Sequence, residues 1–453
     1  MSSNTASITP PGVTTSAPDS SNIRWFVCAL LFAATTINYM DRSVFSFIEP
    51  LLHNVPFMGW DFSTDRFHQS LFDNNYGNVI ICFQIAYGVG FLIAGRVIDK
   101  LGTKTGYAVA ICIWAISSMS HSLVTSVVGF CIARIFLGIG ESGNFPAAIK
   151  ATTEWFPTEE RGKAVGIFNS GTCASFFLAP LLIGFATTHY GWRAAFLATG
   201  SLGVCWLVLW MLFPYNRLRR GSTQTQINLQ ADFASQSQYG GNIPLSVLLQ
   251  RPGTYAFAIG KGLTDGVWWF YLFYLPQFLN RNYGLDLQGA YWYIVTVYVV
   301  STIGSIFGGT LSGALMKRGY SVNGGRKLAM LSMAVLVLPL MLVPHMGVLF
   351  PHNPWPATLI IALATAAHQG WSANLFSTPG DMFPSTAVST VVGIGGAAGA
   401  VGGACFTWIV KRNLSLHPLI VFTVAAAAYL ISLALFQLLV PRLGAARSEP
   451  SAP

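Results

Sequence analysis

Apolar residues run along this chain in long blocks separated by short polar breaks. Blocks of about 20 residues or more are long enough to cross a bilayer as helices. They fall near 25–52, 76–98, 106–124, 126–149, 162–186, 193–213, 252–279, 290–316, 327–347, 356–378, 386–410 and 418–441. The pattern predicts an all-α membrane protein with about twelve transmembrane helices. The longest polar interruption, 214–247, follows the sixth block and divides the chain into two sets of six. Such a layout predicts a disordered cytoplasmic N-terminus (1–23), an N-terminal six-helix bundle (24–213), a cytoplasmic linker (214–250), a C-terminal six-helix bundle (251–441) and a cytoplasmic tail (442–453).

Composition agrees with the blocks. Of 453 residues, 9% are charged and 53% hydrophobic, whereas a soluble domain is roughly a quarter charged. With the N-terminus placed in the cytoplasm, seventeen of the 25 Lys and Arg residues fall on the cytoplasmic side and five opposite, with Arg42, Arg134 and Lys261 inside spans. That asymmetry predicts both termini inside and accounts for the formal charge of +9 without a nucleic-acid partner. The polar start MSSNTASITPPGVTTSAPDSSN has neither a basic leader nor an apolar core, so no cleaved signal peptide is expected. The seven cysteines fall in seven different blocks with no CxxC pair, and HExxH is absent, so neither a disulfide framework nor a metal centre is expected. No nucleophile–base constellation is visible either, and the chain does not read as an enzyme.

The two halves repeat one plan. EWFPTEERGKAVGIFNSG (154–171) and DMFPSTAVSTVVGIGGAAG (381–399) superpose at a shift of 227, matching Phe156-Pro157 with Phe383-Pro384 and VGI at 165–167 with VGI at 392–394. The loop GRVIDKLGTK (95–104) has the pattern Gly-x-x-x-Asp-Arg/Lys-x-Gly-x-Arg/Lys, and GGTLSGALMKRG (308–319) is a degraded copy that lacks the acid. Glycines there let helices approach, and Asp99 is suited to helix ends and basic partners. Gly95, Asp99, Lys100 and Gly102 are therefore the candidate conformational gate.

An ionisable side chain facing lipid costs at least ~2.5 kcal/mol on insertion scales, so each buried charge needs a reason. INYMDRS (37–43) puts Asp41 and Arg42 inside the first block, and ARIFLGIGESGNFP (133–146) puts Arg134 and Glu141 inside the fourth. Seven apart, Arg134 and Glu141 return to within about 20° of one helix face, roughly 10 Å apart along the axis, and both can look into one cavity. Asp41 and Arg42 diverge by about 100°, so each needs a partner on another helix. The fourth block supplies the complementary pair, and the four charges sum to zero. They could be a salt-bridge network that locks two helices. The functional reading gives Arg42 a substrate carboxylate through its planar fork and gives Asp41 and Glu141 the coupling protons. An arriving anion weakens the hold of the arginine on the ionised acid, so proton and anion bind cooperatively, as symport requires.

Tyr39, beside the cluster, and Tyr87 in FQIAYGVGF can hydrogen-bond a polar substrate. FNSGT (168–172) sets Asn169 and Thr172 three apart on one face, suited either to a ligand or to close helix packing. KGLTDGVWWFYLFYLPQFL (261–279) carries Lys261, Asp265, Trp268, Trp269, Tyr271 and Tyr274. Some of these rings must face lipid, and Trp269 is the candidate wall against an apolar sugar face. AAHQGWSANLFSTPGDMFP (366–384) crowds His368, Gln369, Trp371, Ser372 and Asn374 into an apolar span, and the shift of 227 carries Glu141 onto His368. Such neutral donors and acceptors suit a polyhydroxylated ligand.

Taken together, INYMDR, GRVIDKLGTKTGYA, ARIFLGIGESGNFPAAIKATTEWFPTEERGKAVGIFNSGT, WWFYLFYLPQFL, AAHQGWSANLF, DMFP and VVGIGGAAGAVGG resemble the hexuronate transporters of the anion:cation symporter family, within the major facilitator superfamily. The resemblance covers nearly all of 24–440. It implies two pseudo-symmetric six-helix bundles and proton-driven import of galacturonate or glucuronate across a bacterial inner membrane. It also implies proton coupling at Asp41 and Glu141, anion contact at Arg42, and Arg134 as its electrostatic partner. Pro379-Gly380 departs from the pattern and weakens the expectation for the cytoplasmic end of the tenth span. The expected partners are a sugar-acid anion, protons and membrane lipid, with no cofactor, no metal and no nucleic acid, and a monomer suffices. Rival readings are a carrier of another organic anion (aldonate or aldarate), a sodium- or phosphate-linked carrier, an efflux carrier of the same fold, and a non-transporting sensor.

Overall fold

The computed structural model describes residues 20–52, 55–58, 66–220, 243–285, 287–413 and 417–443. The expected tails at 1–19 and 444–453, and linker residues 221–242, lie outside the described residues. Those described form helices and no strand. In chain order they are α1 (Ser20–Phe47), α2 (Arg66–Leu101), α3 (Thr103–Ser120), α4 (Val127–Glu141), α5 (Asn144–Trp155), α6 (Thr158–Tyr190) and α7 (Trp192–Leu212). The second half holds α8 (Pro252–Tyr283), α9 (Leu287–Lys317), α10 (Val322–Val337), α11 (Val343–Leu349), α12 (Trp355–Met382), α13 (Ser385–Asn413) and α14 (Pro418–Leu439). Counting α4 with α5 and α10 with α11 as single crossings, they match the twelve expected blocks. Ten crossings are long and apolar enough for a membrane by length and composition. The other two, α8 and α12, are 32 and 28 residues long, and their aromatic and polar residues lower their hydropathy.

Burial is inverted relative to a soluble protein. Asp41, Glu141, Arg161 and Arg326 are fully buried, while Ile85 and Leu181 stand 63% and 70% exposed on the outside, a surface suited to hydrocarbon. Both described chain ends, and the described residues on either side of 221–242, lie at one end of the bundles. Lys104 Nζ, at the start of α3, donates to Phe213 O at the end of α7 (2.9 Å). Lys327 Nζ, early in α10, donates to Val440 O (2.6 Å) and Pro441 O (2.9 Å), and Arg24 near the start of α1 pairs with Glu160 near the start of α6 (2.9 Å).

One helix break and one intrahelical proline matter for the site. The fourth crossing, expected to be continuous, stops at Glu141 and restarts at Asn144. Gly140 and Gly143 lie there because a Cβ would come within 2.5 Å of Trp114 N and 2.6 Å of Ala110 Cβ. Pro146 then falls in the first turn of α5, where no N–H is needed. Pro379, by contrast, sits inside α12 without ending it. Thr378 Oγ1 donates to Leu375 O (2.8 Å), the carbonyl that Pro379 leaves unbonded.

The bundles meet along two equivalent seams, α2 against α13 and α9 against α6. A Cβ on Gly95 would overlap Ser389 O, one on Gly393 would overlap Phe91 O, and one on Gly309 would overlap Gly162 O. A Cβ on Gly166 would overlap Ser305 O. Gly166 and Gly393 are the glycines matched by the shift of 227. Gly313, which stands where Asp99 stands in the first loop, packs on Glu159 O.

Candidate functional site

A cavity of about 50 Å³ lies between the bundles. From the first half Tyr39, Arg42, Tyr87, Asn169 and Thr172 line it, and from the second Trp269, His368, Gln369 and Ser372. These are nine of the residues proposed from sequence. Arg42 donates from Nε and Nη2 to one oxygen of Glu141, Oε2, at 3.0 and 2.9 Å. Its guanidinium lies 4.3 Å from the Tyr87 ring centre and 4.7 Å from that of Tyr39, and the side chain keeps 20% exposure, toward the cavity. Two tyrosine faces and one carboxylate thus fix a cation with part of its fork free.

The neighbouring Asp41 turns the other way, as the 100° divergence requires. Its Oδ1 accepts from Ser118 Oγ of α3 (2.7 Å), which lies 3.5 Å from Thr199 Oγ1 of α7. The expected second ion pair, Asp41 with Arg134, does not form among the described residues. Arg134 instead lies 4.3 Å over the Phe45 ring, and its buried Nε and Nη2 have no hydrogen-bond partner. Neither Arg134 nor Glu141 lines the cavity; Glu141 stands behind Arg42.

On the facing wall, Asn169 Nδ2 donates to Gln369 Oε1 (2.6 Å), and Gln369 Nε2 lies 3.4 Å from Thr172 Oγ1, joining α6 to α12 across the seam. His368 Nδ1 is 2.6 Å from Tyr429 OH, and its ring stacks on Trp268 at 5.3 Å. Two of the proposed residues lie elsewhere. Trp371 is fully buried edge-on to Tyr429, and Asn374 Nδ2 donates to Gly308 O (2.7 Å) and Gly370 O (2.9 Å), tying α12 to α9. Lys261, Asp265 and Trp268, which were not among the residues expected at the site, also line the cavity. Two opposite charges four apart in an apolar span were the signal.

The end of the bundles at which the described chain ends lie is closed. Asp99 accepts from Lys150 Nζ (2.8 Å) within its own bundle and from Thr390 N (2.7 Å), Thr390 Oγ1 (2.6 Å) and Ser389 N (3.3 Å) of the other. Gly95 supports this contact on the seam, Gly102 turns the chain into α3 at φ 79°, and Lys100 is exposed. A second carboxylate, Asp381 of α12, accepts from Arg326 Nε (2.9 Å) in its own bundle and Arg161 Nη1 (2.6 Å) in the other. Gly380 makes room for this, since a Cβ there would meet Thr153 and Arg161. Between these ties and the cavity, Phe145 and Phe376 stack at 5.0 Å.

The Major Facilitator Superfamily profile matches residues 31–407. A hexuronate transporter of Escherichia coli (strain K12) is 28% identical over 395 residues, covering 86% of this chain and 87% of the relative. A galacturonate transporter of Dickeya chrysanthemi is 28% identical over 323 residues, covering 70% and 89%. Among solved structures, a proton:xylose symporter of the same superfamily superposes with a TM-score of 0.76 at 15% identity, over 94% of this chain and 97% of that one. Two seamed bundles around a buried polar cavity and a profile spanning most of the sequence lead to one conclusion: the chain belongs to the Major Facilitator Superfamily and is a membrane transporter, not an enzyme.

Proposed function

We propose that the protein is a proton-coupled symporter that imports hexuronates such as galacturonate and glucuronate across a bacterial inner membrane by alternating access, both chain ends lying in the cytoplasm. The observation that carries this reading is Arg42, a cation that reaches the inter-bundle cavity while a buried carboxylate, Glu141, holds it from behind. The names of the relatives support a sugar acid as the substrate. Its carboxylate takes the free part of the Arg42 fork and competes with Glu141 Oε2. Glu141 then accepts a proton, so that no buried charge is left unpaired. Asp41, away from the cavity, carries a second coupling proton, and Arg134 balances the acids electrostatically.

Asn169, Thr172, His368, Gln369 and Ser372 pair with sugar hydroxyls, and Trp269 covers an apolar ring face. Trp371 and Asn374 act as positioning residues, the first through Tyr429 and the second through α9. In this conformer the cytoplasmic end is shut by the Asp99 and Asp381 ties, which must break for release. Uptake of labelled galacturonate and glucuronate into proteoliposomes, with and without an inward proton gradient, tests the proposal. Gradient-driven accumulation that is lost in Arg42→Ala and becomes gradient-insensitive exchange in Asp41→Asn is the expected result. No uptake of either acid by folded wild type would overturn the substrate assignment.

A further inference from the structure

A second charged pair borders the cavity from the opposite bundle and has no role in the scheme above. Lys261 Nζ of α8 lies 2.7 Å from Asp265 Oδ1, one helical turn on. The two are not equally accessible. The Asp265 side chain is 19% exposed against 7% for Lys261, whose Nζ sits 4.0 Å from the centre of the Phe376 ring. Both residues line the cavity, and the acceptor is the more exposed of the two. The other carboxylate oxygen, Oδ2, rests against Gly399, where any Cβ would collide with it. Among the described residues nothing donates a hydrogen bond to Oδ2.

An ionised carboxylate only accepts hydrogen bonds, so the groups that suit it are hydroxyls. A second carboxylate would meet like charge. Lys261 compensates the charge of Asp265 without occupying Oδ2, so burial does not leave the acid unpaired. Arg42 faces the same cavity from α1. A ligand lying between them is read at its two ends by opposite charges.

We infer that Asp265 determines specificity at the end of the substrate remote from Arg42, accepting hydroxyls from a monocarboxylic sugar acid and rejecting a dicarboxylic one. This rests on the proposed role of Arg42 as the carboxylate site. Rejection works through repulsion as well as through the hydrogen bonds that a second carboxylate cannot donate.

Equilibrium binding of labelled D-glucuronate to purified full-length protein, competed by D-gluconate and by D-glucarate, tests it. The two competitors differ only in carrying a hydroxymethyl or a carboxylate at the last carbon. Wild type is expected to bind D-glucarate at least about tenfold more weakly than D-gluconate, and Asp265→Asn to bring the two within about threefold. Gly399→Ala, whose methyl would collide with Oδ2 and displace the carboxylate from its place at the cavity, shifts the ratio in the same direction and covers the case in which Asp265→Asn does not fold. D-glucuronate binding with equal competition in wild type, or with a ratio that neither variant changes, overturns this inference and leaves the transport reading standing. Failure of folded wild type to bind any of the three acids overturns both.

Discussion

Glu141 gives a single oxygen, Oε2, to both Nε and Nη2 of Arg42, while its Oε1 is buried with no partner. One carboxylate oxygen is thus committed to the cation and the other is open to a proton. The cation that would bind an anion and the acid that would bind a proton are in direct contact, so each event changes the partner of the other.

Glu141→Gln keeps the shape and removes the charge. Arg42 is then free for an anion, and D-glucuronate is expected to bind as tightly as in wild type or up to about tenfold more tightly. Accumulation driven by a proton gradient disappears while counterflow exchange persists. Parallel counterflow and gradient-driven uptake assays on one proteoliposome preparation separate the two, and a loss of both would show that Glu141 has a structural role instead.

Asp41 makes the same division from outside the cavity. Because Ser118 holds it between α3 and α7, outside the cavity, Asp41→Asn is expected to leave D-glucuronate affinity within about threefold of wild type. The ratio of uptake with and without the gradient falls toward one. An affinity loss as large as that of Arg42→Ala would put Asp41 at the anion.

Much of this was legible in the sequence because hydropathy and the cost of burying charge are one-dimensional signals. The twelve blocks follow from the first and the meeting of the first- and fourth-block charges at Arg42 and Glu141 from the second, while the duplicated VGI glycines follow from the match of one half with the other. Helical period would have sorted α12 further. On a wheel of about 100° per residue, His368, Gln369 and Ser372 share an arc of about 100°, while Trp371 and Asn374 fall outside it. The same wheel gathers Lys261, Asp265, Trp268 and Trp269. What period cannot supply is which neighbour of a buried pair faces the cavity. Asp41 and Arg42 each have a polar companion three residues earlier, Asn38 and Tyr39. Only the packing of α3 and α7 against one face decides between them. The break after Glu141 was hidden for a related reason, since Gly140 and Gly143 reveal their purpose only against Trp114 and Ala110.

Asp381 is shared by Arg161 and Arg326, both fully buried, one from each bundle. Asp381→Ala leaves two guanidinium groups without their common carboxylate, a loss of about 3–5 kcal/mol for a buried pair. The variant is expected to unfold at a clearly lower temperature in detergent. Asp381→Asn keeps one acceptor and should fall between the two. An unchanged unfolding temperature in Asp381→Ala would mean that the closed seam contributes little to this conformer.

The glycines of the seam separate folding from gating. A Cβ at Gly309 would strike Gly162 O, and one at Gly95 would strike Ser389 O, in each case across the bundle boundary. At Gly304 it would strike Ala366, inside its own bundle. Gly95→Ala with Gly309→Ala therefore leaves each bundle packed but prevents the closed contact. Gly304→Ala disturbs the bundle itself. Overpacking costs about 1–3 kcal/mol per site, and inverting a 99:1 equilibrium takes about 5.5 kcal/mol, so the double variant should move a large share of the population to the form open at that end. Spin labels on cysteines introduced at the exposed Lys100 and Tyr320, with the native cysteines replaced, would read this as a longer inter-bundle distance, with an unfolding temperature lowered by no more than the loss of the closed form. Gly304→Ala should show a lowered unfolding temperature at an unchanged distance. A double variant that keeps the wild-type distance would mean that the bundles close without backbone contact at these glycines, and the seam would then be a consequence of closure instead of its determinant.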